Sequence, residues 1–311
     1  MELFTIVLVI AGLCVFEVIN SIDNAIINAD VLSTMQQRYR KWFLFTGMFF
    51  AVFVVRGMLP WLIIWLSTPS VGPVGAFTAS FSNNPRILEA VKASSPTLLV
   101  GAATFLLFLF LHWLFMEPKK VLIAGERFFQ SNYFMFNAFA MVWLAVIVWF
   151  ALKIKTAMAF GAVIGATVFY IVDAIRKYAE GKQHQLNKKN FSDIGKIFYL
   201  EVLDATFSID GVTGAFAFTL SVPLILVGNS IGALVVRQLT IKNINAIHKY
   251  RYLKKGAMYS IFLISLIMIL DSFGYNVPGW LPPSITFAVV GYFFYRSKED
   301  LNHGPRNLKH K

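Results

Sequence analysis

The chain alternates between long apolar stretches and short polar segments that are mostly basic. Nine of the apolar stretches reach about 18 residues, the length at which a helix can cross the hydrocarbon core of a bilayer. They cover residues 3–29, 42–66, 98–115, 134–152, 157–176, 195–220, 223–241, 257–273 and 279–295. The pattern predicts an all-α, polytopic membrane protein of about nine transmembrane helices.

Composition and charge support a membrane protein over a soluble one. Of the 311 residues, 57% are hydrophobic and only 14% are charged, too few for the charged surface of a soluble domain. The net charge of +12 would suit either a nucleic-acid surface or the flanks of membrane spans. The first basic residue is Arg38, so the opening apolar stretch carries no positive charge at all. We therefore expect a lipid bilayer, and no nucleic acid, around this chain.

The positions of the basic residues predict the orientation. If the N-terminus lies outside, 22 of the 28 lysines and arginines fall in the inner segments or at inner span ends. The positive-inside rule then predicts an N-out/C-in topology. The outer segment 67–97 is rich in Pro, Ser, Gly and Asn, and is expected to be a surface loop or a lid.

Two segments of the chain resemble each other. Glu17 and Asp23 are separated by five residues, as are Asp204 and Asp210, and Ser-Ile directly precedes the second acid in both cases. The next span carries Val-Val-Arg each time, ending at Arg56 and at Arg237 respectively. Because the first span of each unit crosses in the opposite direction, the two units form inverted three-helix repeats, a plan typical of secondary transporters.

The repeat divides the chain into five parts. We expect the first three-helix repeat at 1–115, two inserted helices with basic cytoplasmic loops at 116–194, the second, inverted repeat at 195–273, a last helix at 274–295, and a disordered basic cytoplasmic tail at 296–311.

Five carboxylates fall inside predicted spans: Glu17, Asp23, Glu201, Asp204 and Asp210. An ionised acid at mid-membrane costs about 2.5–3.5 kcal/mol on insertion scales, so their presence requires a reason. One reason is structural, as ion pairs with Arg56 and Arg237 that hold spans together. Two arginines leave at least three acids in need of protons or a metal cation.

Helical geometry places polar groups around the first acid of each pair. At about 100° per residue, the side chains of Asn20, Ser21 and Asn24 lie on the face of Glu17. Glu201 and Ser208 lie near Asp204 in the same way. Asp23 and Asp210 fall about 120° away from these faces. Each second acid therefore serves another interface, or the helix unwinds near Ile22-Asp23 and near Ile209-Asp210, where Gly211 and Gly214 would favour a break.

The available ligands are carboxylate, amide, hydroxyl and carbonyl oxygens. These hard ligands suit Mg²⁺, Ca²⁺ or Mn²⁺ and argue against Cu(I) and Zn²⁺. Asn229, in the motif Gly228-Asn-Ser of span seven, is a further candidate ligand. His112, Cys14 and the methionines of the spans are interpreted as packing residues, and Asp173 and Asp271 as residues at span boundaries.

The paired motifs resemble those of the TerC family of integral membrane proteins, which was named for tellurium resistance and is grouped with the LysE-type transporter superfamily. The motifs are Glu17-x5-Asp23-Asn24 with Arg56, and Glu201-x2-Asp204-x5-Asp210 with Asn229 and Arg237. The resemblance covers spans one to three and six to eight. Two inserted spans, and Gly211 after Asp210 in place of Asn, set this chain apart as a divergent branch.

The resemblance implies a transporter, and no enzyme, that exports a divalent metal ion from the bacterial cytoplasm. Mn²⁺ is the first candidate and Ca²⁺ or Mg²⁺ are alternatives. The cation would bind between spans one and six to the set Glu17, Asp23, Asn24, Glu201, Asp204 and Asp210. Supporting roles fall to Asn20, Ser21, Arg56, Ser208, Asn229 and Arg237. No tightly bound cofactor is expected, and the location would be the bacterial cytoplasmic (inner) membrane.

Other readings of the sequence stay open. Acids that lose a divalent ion at mid-membrane would take up protons, so protons are a candidate counter-substrate. An exporter of an amino acid or another small organic solute would also fit the architecture. An intramembrane aspartyl protease needs two aspartates that share a proton, although such enzymes usually present Gly-x-Gly-Asp. The identity of the ion, the coupling ratio and the oligomeric state are open, and tellurium resistance would be an indirect outcome, because an acid-rich site does not suit an oxyanion.

Overall fold

The computed structural model describes residues 3–43, 47, 55–78, 85–119, 125–186, 192–247 and 250–303. In these ranges the regular elements are helices, with short 3-10 turns at Pro69–Val71 and Tyr133–Met135. The α-helices are α1 Leu3–Asn20, α2 Ile22–Ser33, α3 Gln37–Trp42, α4 Arg56–Ser67, α5 Gly72–Thr78, α6 Pro85–Met116, α7 Glu126–Ser131, α8 Phe136–Leu152, α9 Thr156–Leu186, α10 Asp193–Ala215, α11 Val222–Ile247, α12 Leu253–Ser272 and α13 Leu281–His303.

The structure confirms the prediction of an all-helical membrane protein for the residues that it describes. Among the described residues, five helical segments are long and apolar enough to cross a membrane: Leu3–Asn20, Glu89–Met116, Tyr133–Leu152, Thr156–Ala179 and Leu253–Ser272. They coincide with five of the nine predicted spans. The predicted spans 195–220, 223–241 and 279–295 overlap α10, α11 and α13, which are not among these five. In α11 the segment Val222–Gln238 is apolar but shorter. The predicted span 42–66 lies partly outside the described residues, so the count of nine stays a prediction.

Two helices run much further than their apolar stretches. α6 and α9 contain 32 and 31 residues, so each is about 45–50 Å long and exceeds the ~30 Å hydrocarbon core. α6 takes in residues 85–97 and α5 lies just before it, so the predicted loop over 67–97 is wrong for most of its length. Pro96 stands inside α6 without ending it.

The predicted disordered tail is also partly wrong. α13 continues to His303, so residues 296–303 are helical. Its side chains there make local contacts, such as the ion pair between Arg296 and Glu299 at 3.4 Å. Residues 304–311 lie outside the described residues.

The two acid-bearing helices differ in continuity. The first is interrupted at Ser21, which separates α1 from α2, one residue before the break that the sequence predicts. Ser21 donates its hydroxyl to Glu17 Oε1 at 2.7 Å, which gives the side chain a local partner at the interruption. α10 runs unbroken from Asp193 to Ala215, so the predicted break near Ile209-Asp210 is wrong.

Glycines let several helices pack at backbone distance. A Cβ atom added to Gly161 would lie 2.5 Å from the carbonyl oxygen of Thr97, and one added to Gly165 would meet the carbonyl oxygen of Gly101. Gly161 and Gly165 are four residues apart on α9, so both face α6. This Gly-x-x-x-Gly spacing is common where membrane helices approach closely.

The same spacing joins α1 to α11. A Cβ on Gly228 would lie 2.6 Å from Leu13 Cβ, and one on Gly232 would lie 2.6 Å from Glu17 Cβ. α11 therefore presents a smooth surface to α1 at the depth of Glu17. The glycines hold the first candidate acid against the second repeat.

Candidate functional site: buried acids and arginines

Arg56 links the two repeats through their first acids. Its Nη2 lies 2.8 Å from Glu17 Oε1, and its Nη1 lies 3.6 Å from Asp204 Oδ2. Asn24 donates its side-chain amide to Asp204 Oδ1. Glu17, Asn24, Arg56 and Asp204 are all buried, with Glu17 only 1% exposed. The network joins α1, α2, α4 and α10, and it brings together four of the predicted site residues, Glu17, Asn24, Arg56 and Asp204.

Two glycines form a notch around the Glu17 carboxylate. A Cβ on Gly211 would lie 2.6 Å from Glu17 Oε2, and Gly232 is packed against the aliphatic part of the same side chain. The sequence suggests that Gly211 breaks a helix, but in the structure it provides room for an acid from the other repeat. The residue after Asp210 therefore has a steric role.

Asp210 belongs to a different interface from Asp204. Its Oδ2 lies 2.5 Å from Arg176 Nη2, and the Arg176 guanidinium stacks 4.6 Å from the centre of the Phe207 ring. This supports the first of the two geometric alternatives, in which the second acid serves another interface. Arg176 lies at the inner end of the predicted span 157–176 and belongs to neither motif, so the sequence gives no sign of this partly buried ion pair.

Arg237 lies close to Glu201, the third candidate site acid of α10. It donates to the Phe43 carbonyl oxygen at 2.6 Å, and its guanidinium lies 5.3 Å from the centre of the Phe43 ring. It is also within electrostatic reach of Asp204 and Glu201. Glu201 faces Gly47, where a side chain would collide with Oε1. The two arginines at matching repeat positions thus both lie near acids, as the sequence predicts.

Many oxygen atoms in this region lack a hydrogen-bond donor. They are buried, and within the described parts of the chain each one has no hydrogen-bond partner: Glu17 Oε2, Asn24 Oδ1, Asn28 Oδ1, Glu201 Oε1, Glu201 Oε2, Asp204 Oδ2, Asp210 Oδ1 and Asn229 Oδ1. Buried acceptors are normally satisfied, so a concentration of them needs a donor, a proton or a cation.

The remaining predicted site residues have mixed outcomes. Ser208 donates to the Asp204 backbone carbonyl oxygen at 2.7 Å, so its hydroxyl is engaged within α10. Asn20 lies beside Gly211, with Nδ2 3.8 Å from the position of a Cβ there. Asn229 is fully buried. The side chain of Asp23 lies outside the described residues.

The described residues do not converge into one coordination shell. Within them, no group of three or more His, Cys, Asp or Glu side chains is close enough to hold a metal ion. Arginines stand between or beside the acids in this conformation. The six-residue ligand set therefore stays a prediction, and it requires Arg56 to move away from Glu17 and Asp204.

Two further polar clusters were not found by sequence reasoning. His112 packs against the rings of Phe136 and Phe169, as predicted. Its Nε2 also lies 3.3 Å from Asp173 Oδ1, a contact between α6 and α9 that the sequence does not reveal. Glu126 forms a buried ion pair with Lys255 and accepts a hydrogen bond from the Tyr259 hydroxyl at 3.0 Å. The sequence offered no signal for Glu126, which falls in a segment that was expected to be a cytoplasmic loop.

Comparison with known families gives one assignment. A family model described as a protein of unknown function (DUF475) matches residues 22–302. The chain belongs to the DUF475 family. The match includes Arg56 and the three candidate site acids of α10, whereas Glu17 precedes it. Neither the curated proteins nor the solved structures give a match.

Proposed function

We propose that this DUF475 protein is a membrane transporter that exports a divalent metal cation, with Mn²⁺ as the first candidate, through a site between α1 and α10. The observation that supports it most is the group of buried carboxylate and amide oxygens without donors at this interface. Such oxygens are the preferred ligands of hard divalent cations. The cation is the cargo of the site.

Charge counting favours a divalent ion. The sequence places five acids in the two motifs, and the structure adds Arg176 to Arg56 and Arg237 as arginines that lie near these acids. Five carboxylates against three guanidinium groups leave two formal negative charges. One divalent cation neutralises them, and so do two protons when the cation has left. This balance makes protons the natural counter-substrate.

The packing of the two repeats supports alternating access. The first helix of each repeat packs against the second helix of the other, α1 on α11 and α10 on α4, and the third helices α6 and α12 pack on each other. This reciprocity is expected of two inverted units around a shared central site. Rocking of one unit against the other would expose the site first to the cytoplasm and then to the outside.

Arg56 has a specific role in this cycle. In the described conformation it occupies the place between Glu17 and Asp204 where a cation would bind both. An arriving cation releases the guanidinium, and its departure lets Arg56 return. Together with the resemblance to the TerC family, this gives a bacterial inner-membrane exporter as the function that the site supports best.

Metal accumulation in cells tests the proposal. Cells that express the wild type should hold less Mn²⁺ than cells with an empty vector when both grow in added Mn²⁺. Asp210→Asn should abolish this difference, because it removes one of the carboxylates of the site. Asp271→Asn is the matched control, since the same change there affects an acid at the end of α12. Equal Mn²⁺ loads in wild-type and Asp210→Asn cells would refute the proposal, and isothermal titration of the purified protein against Mn²⁺, Ca²⁺, Mg²⁺ and Zn²⁺ identifies the ion.

A further inference from the structure

A cavity of about 480 Å³ lies between α2, α6, α9, α10 and α12. At about 30 Å³ for each water-sized particle, a cation with six waters needs roughly 200 Å³, so the cavity has room for a hydrated ion. Its walls are partly polar, and its lining includes His112, Asp173, Arg176 and Asp210.

The lining residues of the cavity come from two parts of the fold. Glu117, Lys177 and Lys254 belong to segments that the charge pattern predicts on the cytoplasmic side. Lys254 Nζ lies 2.5 Å from Glu117 Oε2 there. Asn20 and Asp210 belong to the acid-bearing helices α1 and α10. The cavity thus borders both the predicted cytoplasmic side and the candidate site.

Asp210 gives the cavity a cation-binding group next to the candidate site. The residue is only 4% exposed, and its Oδ1 has no hydrogen-bond partner among the described residues. Arg176 pairs with the other oxygen, Oδ2, and its guanidinium stacks on the Phe207 ring. A positive charge therefore stands at the point where a cation would pass from the cavity to the acids.

We propose that this cavity is the water-filled cytoplasmic vestibule through which a hydrated divalent cation reaches the site, and that Arg176 is its gate. While Arg176 is paired with Asp210, the guanidinium repels an incoming cation and blocks its path. When the cation competes for Asp210, Arg176 swings away and the path opens. For its cargo this inference rests on the proposed transport function, but the vestibule and its gate can be tested without transport.

Cysteine accessibility tests the vestibule. Cys14→Ser removes the only cysteine of the chain and provides the background. Ile27→Cys and Met258→Cys report from two walls of the cavity. Val31→Cys and Ile264→Cys are buried controls on the same helices, since both residues are fully buried. The probe is a membrane-impermeant trimethylammonium methanethiosulfonate, applied to everted and to right-side-out vesicles.

The expected result is faster labelling of both reporters than of their controls by at least ~10-fold, in everted vesicles only. Failure of both reporters to react faster than their controls would overturn the vestibule, because a dry cavity excludes a charged reagent. Faster labelling from the outer side would overturn its cytoplasmic orientation.

A third reporter tests the gate. Thr213 follows Asp210 by three residues on α10 and is buried, so it lies one turn beyond the ion pair on a similar face. Thr213→Cys should react at least ~10-fold faster with Arg176→Gln than with Arg176 present, while the rate at Ile27→Cys stays the same. Equal rates at Thr213→Cys would overturn the gate. If the Arg176→Gln protein cannot be recovered, Arg176→Met takes its place, with the same acceleration expected because it also removes the positive charge.

The two proposals fail in different ways. Reporters that label as expected in a protein without Mn²⁺ export would refute metal export and leave the vestibule in place. Mn²⁺ export by a protein whose reporters do not label would refute the vestibule alone.

Discussion

Removal of the Arg56 guanidinium tests the central network directly. Arg56→Gln keeps a polar but shorter and uncharged side chain, and it leaves Glu17 and Asp204 buried without their shared cation. At an effective dielectric constant of 20, unit charges at 2.8 and 3.6 Å attract by about 6 and 5 kcal/mol. These values are upper limits, because each charge is spread over its group and burial of the pair costs desolvation. Breaking a buried ion pair typically costs about 3–5 kcal/mol.

The expected result is a marked loss of thermal stability. At about 2 °C for each kcal/mol in a chain of this size, Arg56→Gln should lower the Tm of the purified protein by roughly 6–10 °C. The double variant Arg56→Gln/Glu17→Gln should recover part of this loss, since it also removes an unpaired buried charge. Glu299→Gln, which affects an exposed ion pair with Arg296, is the control and should leave the Tm nearly unchanged.

The same variants also test whether the cation binds at the position of the Arg56 guanidinium. If the cation binds where Arg56 stands, Mn²⁺ should raise the Tm of Arg56→Gln more than that of the wild type, because ligand binding to the folded state stabilises it. A double variant that is no more stable than Arg56→Gln alone would refute the coupling between Arg56 and Glu17. An equal Mn²⁺ effect in both proteins would refute the shared position.

Two further predictions concern packing and burial. Gly232→Ala should destabilise the protein by about 1–3 kcal/mol and reduce transport, because the new Cβ would lie 2.6 Å from Glu17 Cβ. Gly291→Ala is the control in the same unfolding assay, since a Cβ at that position meets open space. Equal stability of the two variants would contradict the close approach of α1 and α11. Lys255→Met should cost about 3–5 kcal/mol by leaving the Glu126 carboxylate buried without its lysine. Adding Glu126→Gln should restore part of the stability in denaturant unfolding, and a double variant as unstable as Lys255→Met would show that the ion pair is not the cause.

The sequence predicts the helices better than their ends. Apolar length identifies membrane helices because the bilayer demands a continuous apolar stretch, and five of the predicted spans satisfy this requirement in the structure. The ends are harder to predict, because a helix continues into water wherever packing or local hydrogen bonds support it. α9 continues past Arg176 to Leu186, and Pro96 stays within α6 where a loop was expected.

The site could be predicted only as far as the repeat extends. The matching motifs identified Glu17, Asp204 and Arg56, and the structure brings these three side chains together at one interface. Arg176 belongs to α9, which carries neither motif, so no pattern connects it with Asp210, 34 residues later. Glu126 and Lys255 are 129 residues apart. Such pairings depend on how helices pack, which periodicity does not encode.

The third arginine changes the argument between a structural and a transport role. With two arginines, five acids carry such an excess of negative charge that some must be permanently protonated. With Arg176 included, the excess falls to two charges, the charge of the proposed cargo. A purely structural network would be expected to pair its oxygens fully, since an unsatisfied buried acceptor costs about 1–3 kcal/mol. Here Glu17 and Asp210 each hold an arginine by one oxygen and keep the other oxygen without a donor. Asp204 accepts from Asn24 at Oδ1, and its Oδ2 has only the Arg56 guanidinium, 3.6 Å away. Carboxylates that are only partly satisfied by hydrogen bonds suit a site that binds a divalent cation and releases it again.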